Sequence, residues 1–299
     1  LNGHDPGSLR RTCEPAGADG QVALADGAGE VTAVGPGVSR FQVGDRVVGA
    51  FFAEHWIDGR RLPEAMGRYR GGPGPGMLSE FVVGNEEGFV RVPDHLSYEE
   101  AATLPTAAVT AWVSLFKHGD LQPNDYVLLE GTGGVSSFGL LFSVAAGARP
   151  IVISSSDEKL ARARELGAVG TVNYRSTPEW QEEVLRLTDG GGVQHVIEVG
   201  GADTRDRALT TLSVGGHMAL VGSLSGSAGP IPTRGLSSRD IRMTSFFVGS
   251  RADFEQMNRF IEGHEIRPII GRVFEFDEAP EAFDFIENGD FMGKIVVRS

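Results

Sequence analysis

The pattern of apolar residues changes character near residue 100. Before it, short apolar stretches alternate with turn signals: Val31, Val34, Val38, Phe41, Val43, Val47 and Val48 are punctuated by Gly35-Pro36-Gly37 and Gly44-Asp45. That pattern predicts β structure over residues 20–50. Residues 59–76, rich in Gly, Pro and Arg, read as a solvated loop carrying Arg60, Arg61, Arg68 and Arg70. Phe81-Val82-Val83 and Phe89–Val92 read as two further short strands.

After Pro93 the period lengthens. Ser97 and Glu100 have the spacing of a capping box and open a long apolar helix running to about Lys117. From there strands alternate with helices. Strands are expected at Tyr126–Glu130, Ile151–Ile153, Thr171–Asn173, His195–Val199, His217–Val221 and Ile241–Val248. Helices are expected at Val135–Ala146, Glu158–Leu166, Glu179–Thr188 and Thr204–Leu212. Gly167 stops the second of these helices, and Asp157 is expected to cap its start.

Such alternation requires crossover connections, hence an α/β fold with a parallel sheet covered on both faces. A last helix-strand-helix-strand stretch, residues 252–299, falls outside the alternation and is expected to return to the N-terminal β region. The expected segments are 1–100 (β-rich), 101–250 (parallel sheet) and 251–299 (the return).

Composition narrows the function. With 299 residues, 40% of them hydrophobic, the chain can fill two cores. A net charge of −13 argues against a nucleic-acid partner or an anionic membrane surface, both of which need clustered Lys and Arg. No apolar run reaches the ~20 residues of a membrane span, and Asn2, His4, Asp5 and Pro6 interrupt any signal-peptide core. The one cysteine, Cys13, excludes an intrachain disulfide framework and a four-thiolate zinc site. A cytoplasmic location is expected.

Directly after the strand Tyr126–Glu130 comes Gly131-Thr-Gly-Gly-Val-Ser136, followed by a helix. A strand, a glycine-rich turn and a helix N-terminus make an anion site, because the backbone can approach a pyrophosphate and the helix amides point at it. Ser136 stands where the third glycine of the fingerprint would be. Placement among consecutive βαβ units supports a dinucleotide-binding (Rossmann) loop over a plain tight turn. An NAD-type site sets an acidic residue about 20 residues on, against the ribose 2′-hydroxyl. Here the second strand ends in Ser154-Ser155-Ser156, which leaves room for a 2′-phosphate, with Lys159 one turn later to neutralise it. Asp157 is the counter-argument, unless it is spent as the helix cap. Tyr174 ends the third strand near the expected adenine ribose. The reading favours NADP(H).

With these residues in place the chain resembles the medium-chain dehydrogenase/reductase superfamily, in particular its zinc-independent quinone oxidoreductase-like branch. The resemblance rests on Asp26-Gly-Ala-Gly-Glu-Val31, Val43-Gly-Asp-Arg-Val47, Ala101-Ala-Thr-Leu-Pro105 with Thr110-Ala-Trp112, and Gly131-Thr-Gly-Gly134. It also rests on Ser155-Ser-Asp-Glu-Lys159, Glu198-Val-Gly-Gly201, Leu220-Val-Gly222 and Gly293-Lys-Ile-Val-Val297. It implies a GroES-like domain built from the N-terminal part and the C-terminal tail, with a ligand cleft beside the Rossmann domain. Leu1-Asn-Gly-His-Asp5 resembles a segment some thirty residues into that domain, so its first strands are expected to lie outside this sequence. Residues 6–23 match the family poorly.

The resemblance also aligns the catalytic-zinc positions of zinc-dependent relatives with Asn2, Ala25 and Thr106, a set that does not suit zinc. No metal is expected, and the seven histidines show no ligand spacing. The chemistry implied is hydride transfer from NADPH to a quinone or an α,β-unsaturated carbonyl, with the oxyanion held by hydrogen bonds. Asn2 is the candidate catalytic residue, or else caps a loop. Thr110, Gly131, Gly133, Gly134, Val135, Ser155, Lys159 and Tyr174 are expected at the cofactor. Val199, Gly200, Gly222, Ser223, Leu224, Phe247 and Val248 are expected along its nicotinamide half. Lys294 reaches the same cleft or is a solvated strand residue; Trp56, with His55, lines a substrate mouth or is core. The strand Ile241–Val248 is expected to pair with its twin in a homodimer. Two alternatives stay open: a zinc-free alcohol or aldehyde dehydrogenase, and a non-catalytic NADPH-binding protein.

Overall fold

The computed structural model describes residues 1–3, 5, 22–226 and 233–299. His4, Cys13 and most of the poorly matching 6–23 stretch lie outside the described residues. Strands β1 (Ala28–Glu30), β2 (Arg46–Gly49) and β3 (Phe89–Arg91) come first, then the short helices α1 (Tyr98–Ala101) and α2 (Val109–Trp112). The alternating region follows: β4 (Tyr126–Glu130), α3 (Gly134–Ala145), β5 (Arg149–Ser154), α4 (Asp157–Glu165), β6 (Gly170–Asn173) and α5 (Trp180–Leu187). It continues with β7 (Val193–Glu198), α6 (Arg205–Thr211), β8 (Leu212–Leu220), α7 (Thr233–Ser237) and β9 (Arg242–Ser245). The chain closes with α8 (Arg251–Gly263), β10 (Ile270–Glu275), α9 (Ala279–Asn288) and β11 (Lys294–Arg298).

Two compact units result. Leu1–Val109 and Val248–Ser299 form one, and Thr110–Phe247 the other. The second unit holds a six-stranded sheet in the order β6-β5-β4-β7-β8-β9, parallel throughout. The chain steps outward from β4 to β5 and β6, then returns to lay β7 on the other side of β4. That reversal creates a crevice at the carboxyl ends of β4 and β7, where open α/β sheets bind ligands. The strands are apolar because both faces are covered: Leu128, Ile151, Val172, Val193 and Met218 join Trp180 in one core cluster. Each such side chain contributes roughly 1.5–3 kcal/mol by leaving water.

In the first unit, β1, β2 and β3 form an antiparallel sheet with Val48 opposite Ala28 and Val90. Strands β10 and β11 pair in parallel, and Phe274, Ala282, Phe283 and Ile295 pack with Leu1 and Leu24. The capping box at Ser97 and Glu100 is present, and a second, Ser250 with Asp253, opens α8. Asn258 on α8 donates to the Arg91 carbonyl at 2.9 Å.

Several local expectations change. Phe81–Val83 is irregular rather than a strand, with Phe81 73% and Val83 97% exposed. The last strand of the sheet covers only Arg242–Ser245, and Val248 beyond it has φ +58°, a left-handed conformation that is strained for a β-branched residue. The helix after Pro93 is interrupted, with π-helical turns at Leu104–Ala108 and Val113–His118. Ser156, not Asp157, caps α4: its hydroxyl accepts from the Lys159 amide at 3.4 Å. Arg70 is buried rather than solvated. Its guanidinium donates to the carbonyls of Ala50 (3.2 Å) and Gly88 (3.4 Å) and lies 4.9 Å from the Phe89 ring centre. Burial pulls its pKa down.

Candidate functional site

Six parallel strands end on one edge of the second unit, and the predicted cofactor residues of that unit collect there. Gly131–Val135 follow β4, Ser155 follows β5 and Tyr174 follows β6. Val199 and Gly200 follow β7, Gly222–Leu224 follow β8, and Phe247 follows β9. Thr110 is buried, and its carbonyl accepts from the Ser114 hydroxyl at 2.8 Å.

The glycine loop is built for an anion. Gly131 has φ +72° and a Cβ there would meet open space. Gly133 is the N-cap of α3, so no side chain caps the helix amides; an anion can. Ser136, in the third glycine's place, is buried. Its hydroxyl donates to the Glu130 carbonyl at 2.6 Å, tying the turn shut. Close helix-to-sheet packing falls instead to Gly139, where a Cβ would come within 2.7 Å of a Leu129 methyl. The residues therefore fit a dinucleotide pyrophosphate.

At the end of β5, Ser155, Ser156 and Lys159 are each partly buried. Asp157, freed from capping, is exposed and accepts from the Asn173 amide at 2.8 Å. Tyr174 is 41% exposed, and its amide donates to the Ser154 carbonyl at 3.1 Å.

The turns after β7 and β8 are stitched together. Leu224 donates its amide to the Val199 carbonyl (3.4 Å), and Ser225 donates its amide and hydroxyl to the Gly200 carbonyl (2.7 and 2.8 Å). Beneath them lie two buried carboxyls that sequence reasoning did not single out, Glu130 and Glu198. One Glu130 oxygen accepts from the amides of Val199 (3.2 Å) and Gly200 (3.1 Å). One Glu198 oxygen accepts from the Gly201 amide (2.7 Å) and the Thr204 hydroxyl (2.9 Å). Burial, then the Glu198 carboxyl, pushes the Glu130 pKa well above the usual carboxylate range.

The first unit holds a second polar cluster. Asn2, Asp26, Thr106 and Lys294 are all buried. Thr106 donates to Asp26 Oδ1 at 2.6 Å, Asn2 Nδ2 to Asp26 Oδ2 at 2.9 Å, and Lys294 Nζ reaches Asp26 Oδ2 at 3.3 Å. Lys294 also donates to the Leu1 carbonyl at 2.5 Å and to Asn2 Oδ1. Asp5 accepts from the Asn2 backbone amide at 2.5 Å. Asn2 thus neither caps a loop nor stands alone, and Lys294 is not solvated. Asp26 organises the cluster; its signal in the sequence was an acid directly after Leu24-Ala25 in an apolar setting. Trp56 sits apart, edge-on to Phe52 at 5.4 Å, its indole donating to the Gly59 carbonyl at 3.0 Å.

Residues 2–94 match the alcohol dehydrogenase GroES-like domain, and residues 134–263 the zinc-binding dehydrogenase domain. A zinc-type alcohol dehydrogenase-like protein of Schizosaccharomyces pombe is 40% identical over 91% of this chain and 80% of its own length. A quinone oxidoreductase of Pseudomonas aeruginosa is 32% identical over 86% of this chain and 75% of its own. A crystal structure of a candidate alcohol dehydrogenase from Sinorhizobium meliloti 1021 superposes with a TM-score of 0.93 at 37% identity, covering 100% of this chain and 88% of that one. The chain belongs to the medium-chain dehydrogenase/reductase superfamily, among its zinc-type alcohol dehydrogenase and quinone oxidoreductase-like members, and is an NAD(P)-dependent oxidoreductase of α/β fold.

The family description names zinc, and the residues at the aligned positions do not fit it. Ala25 offers a methyl group, the Thr106 hydroxyl is spent on Asp26, and Asn2 Oδ1 already faces an ammonium. Among the described residues no group of three or more His, Cys, Asp or Glu could hold a metal ion. No helix among them is long and apolar enough to cross a membrane.

Proposed function

We propose that this protein is a zinc-independent, NADPH-dependent reductase of quinones or α,β-unsaturated carbonyls. The observation that supports it most is the Lys294 ammonium, within 3.3 Å of Asp26 and bonded to Asn2, one of the three residues aligned with the metal ligands of zinc-dependent relatives. A fixed cation there disfavours a divalent metal by charge alone. Without a Lewis acid to generate an alkoxide, transfer to an already electrophilic carbon is the accessible chemistry.

Bound NADPH supplies the hydride. The chain's part is to hold the pyrophosphate on the α3 amides, to receive the 2′-phosphate between Ser155 and Lys159, and to fix the turns after β7 and β8. Asn2, locked by Lys294 and Asp26, is the proposed catalytic amide, Trp56 a substrate contact, and the free edge of β9 the proposed homodimer contact. The second reading, a zinc-free alcohol or aldehyde dehydrogenase, draws on the likeness to the Sinorhizobium meliloti protein.

The test is NADPH oxidation by a panel of quinones and enones with EDTA present. We expect turnover that EDTA does not reduce. Turnover that appears only with added zinc, or only with alcohols and NAD(P)+, overturns the proposal.

A further inference from the structure

We infer that Glu130 and Glu198 share a single proton, and that the protonated pair is a positioning device for the turn Val199–Gly201. The positioning half of this inference rests on the cofactor reading of that turn given above.

The two residues end adjacent parallel strands at the switch point of the sheet. Leu129 lies opposite Ile197, so Glu130 and Glu198 come next, side by side. Both are nearly fully buried, at 4% and 0% exposure. Each carboxyl uses one oxygen to accept two donors from the turn. Each leaves the other, Glu130 Oε1 and Glu198 Oε2, buried without a donor among the described residues. After burial, the neighbouring Glu198 carboxyl is the next largest cause that raises the Glu130 pKa. One proton held between these neighbouring carboxyls satisfies both orphaned acceptors. Two carboxylates left side by side out of water would repel instead.

Among the described residues, the groups that shift Glu130 are Glu198 and the turn amides, with no cation among them. Helix α3 carries no ionisable side chain, and β5 sets Ile153 in register with Glu130. The following turn brings Thr204, and Arg205 beyond it pairs with Asp206 at 3.3 Å.

The consequence is mechanical. Glu130 holds the amides of Val199 and Gly200, and Glu198 holds that of Gly201. The same turn carries Leu224 and Ser225 through its carbonyls. Loss of the shared proton drives the carboxyls apart and loosens both turns. For a carboxyl whose pKa is raised by folding, stability is greatest below the ordinary carboxylate value and falls as pH rises through the raised one. Cofactor affinity therefore weakens toward alkaline pH.

The experiment compares wild type with Glu130→Gln, whose amide keeps the acceptor oxygen and donates permanently to Glu198. Melting temperature without cofactor, and NADPH affinity by fluorescence, are each followed from pH 6.5 to 9. We expect the wild-type melting temperature to fall across this range and its NADPH Kd to rise about tenfold. Both profiles should be nearly flat in Glu130→Gln. Glu130→Ala should bind weakly at every pH, with Glu130→Gln restoring binding. Parallel profiles for wild type and Glu130→Gln overturn the shared proton; if that variant does not fold, Glu198→Gln makes the same comparison. If NADPH binds at no pH, the cofactor reading and the positioning role fail together, while the melting profiles still decide the shared proton.

Discussion

Each unit buries a polar cluster, and the two are built on opposite electrostatic plans. In the first unit Asp26 meets Lys294 at 3.3 Å with side-chain exposures of 2% and 3%, and Asn2 and Thr106 supply further donors. Opposite charges and neutral donors meet around Asp26. In the second unit Glu130 meets Glu198, like groups, and among the described residues no cation shifts Glu130 and two carboxyl oxygens lack donors. A cluster of the first kind is held by the attraction of opposite charges. A cluster of the second kind fixes a geometry only while a proton is present. The contrast shows that burial alone does not define a polar site; the sign of the neighbours decides whether it is rigid or conditional.

The sharpest way to break the comparison is to make the first cluster resemble the second. Lys294→Met removes the cation and leaves Asp26 buried with only neutral partners. Deleting one member of a buried ion pair typically costs about 3–5 kcal/mol, so we expect a loss of that order in urea or thermal unfolding. Adding Asp26→Asn to Lys294→Met should recover a large part of it, because the uncompensated charge is gone. If the double variant is as unstable as the sum of the single changes, the pair is not coupled. The contrast with Glu130 and Glu198 would then fail.

A second prediction uses the acid side of the pH scale, away from both clusters. On β7 and β8, His195 and His217 lie opposite one another with ring centres 6.2 Å apart. His195 Nε2 faces Asp125 at 3.0 Å, and His217 Nε2 faces the Thr244 hydroxyl at 2.7 Å. Burial lowers the His217 pKa to about 4, helped by the charges of His195, Arg242 and His118. A histidine whose pKa falls on folding stabilises fully above its unfolded value, near 6.5, and that stability is lost as pH falls toward 4. We expect His217→Gln to remove about 2 kcal/mol of the wild-type loss over this window. The same variant should leave any slope between pH 6.5 and 9 unchanged, because that slope is the one proposed for the Glu130 and Glu198 pair. A change there would show that the sheet senses pH as a whole rather than through separate groups.

What could be read from the sequence follows the same division. Strands such as Tyr126–Glu130 were legible because a fully apolar run ending at a glycine turn has few other homes in a parallel sheet. Phe81–Val83 has a similar local signal but lies exposed outside any described sheet; three apolar residues cannot specify a partner. The glycine loop was legible because its chemistry is local. The roles of Asp26 and Lys294 were not, since 268 residues separate them and only folding makes them neighbours. The sharing between Glu130 and Glu198 was equally hidden. Their one signal was an acid closing an apolar strand, Val-Leu-Leu-Glu and Val-Ile-Glu, in the crevice where strands end. Ser156 outcompeted Asp157 as cap because it sits one residue earlier, with extended backbone at φ −122° and ψ 122°.

That displaced cap bears on the smallest and most specific prediction. With Asp157 turned to Asn173, the end of β5 carries two serines, Lys159 and one exposed carboxylate, the groups proposed to meet the adenine ribose. A 2′-phosphate is repelled by the carboxylate and attracted by the lysine; a 2′-hydroxyl reverses the preference. Lys159→Ala should therefore weaken NADPH binding by about tenfold while changing NADH binding less than about twofold, since an exposed charge pair contributes only modestly. The readout is the ratio of the two dissociation constants from fluorescence titration at fixed ionic strength. If the ratio does not move, Lys159 does not face the 2′-phosphate. If wild type already prefers NADH, and Asp157→Ser shifts it toward NADPH, the carboxylate freed by Ser156 is the group that reads the ribose.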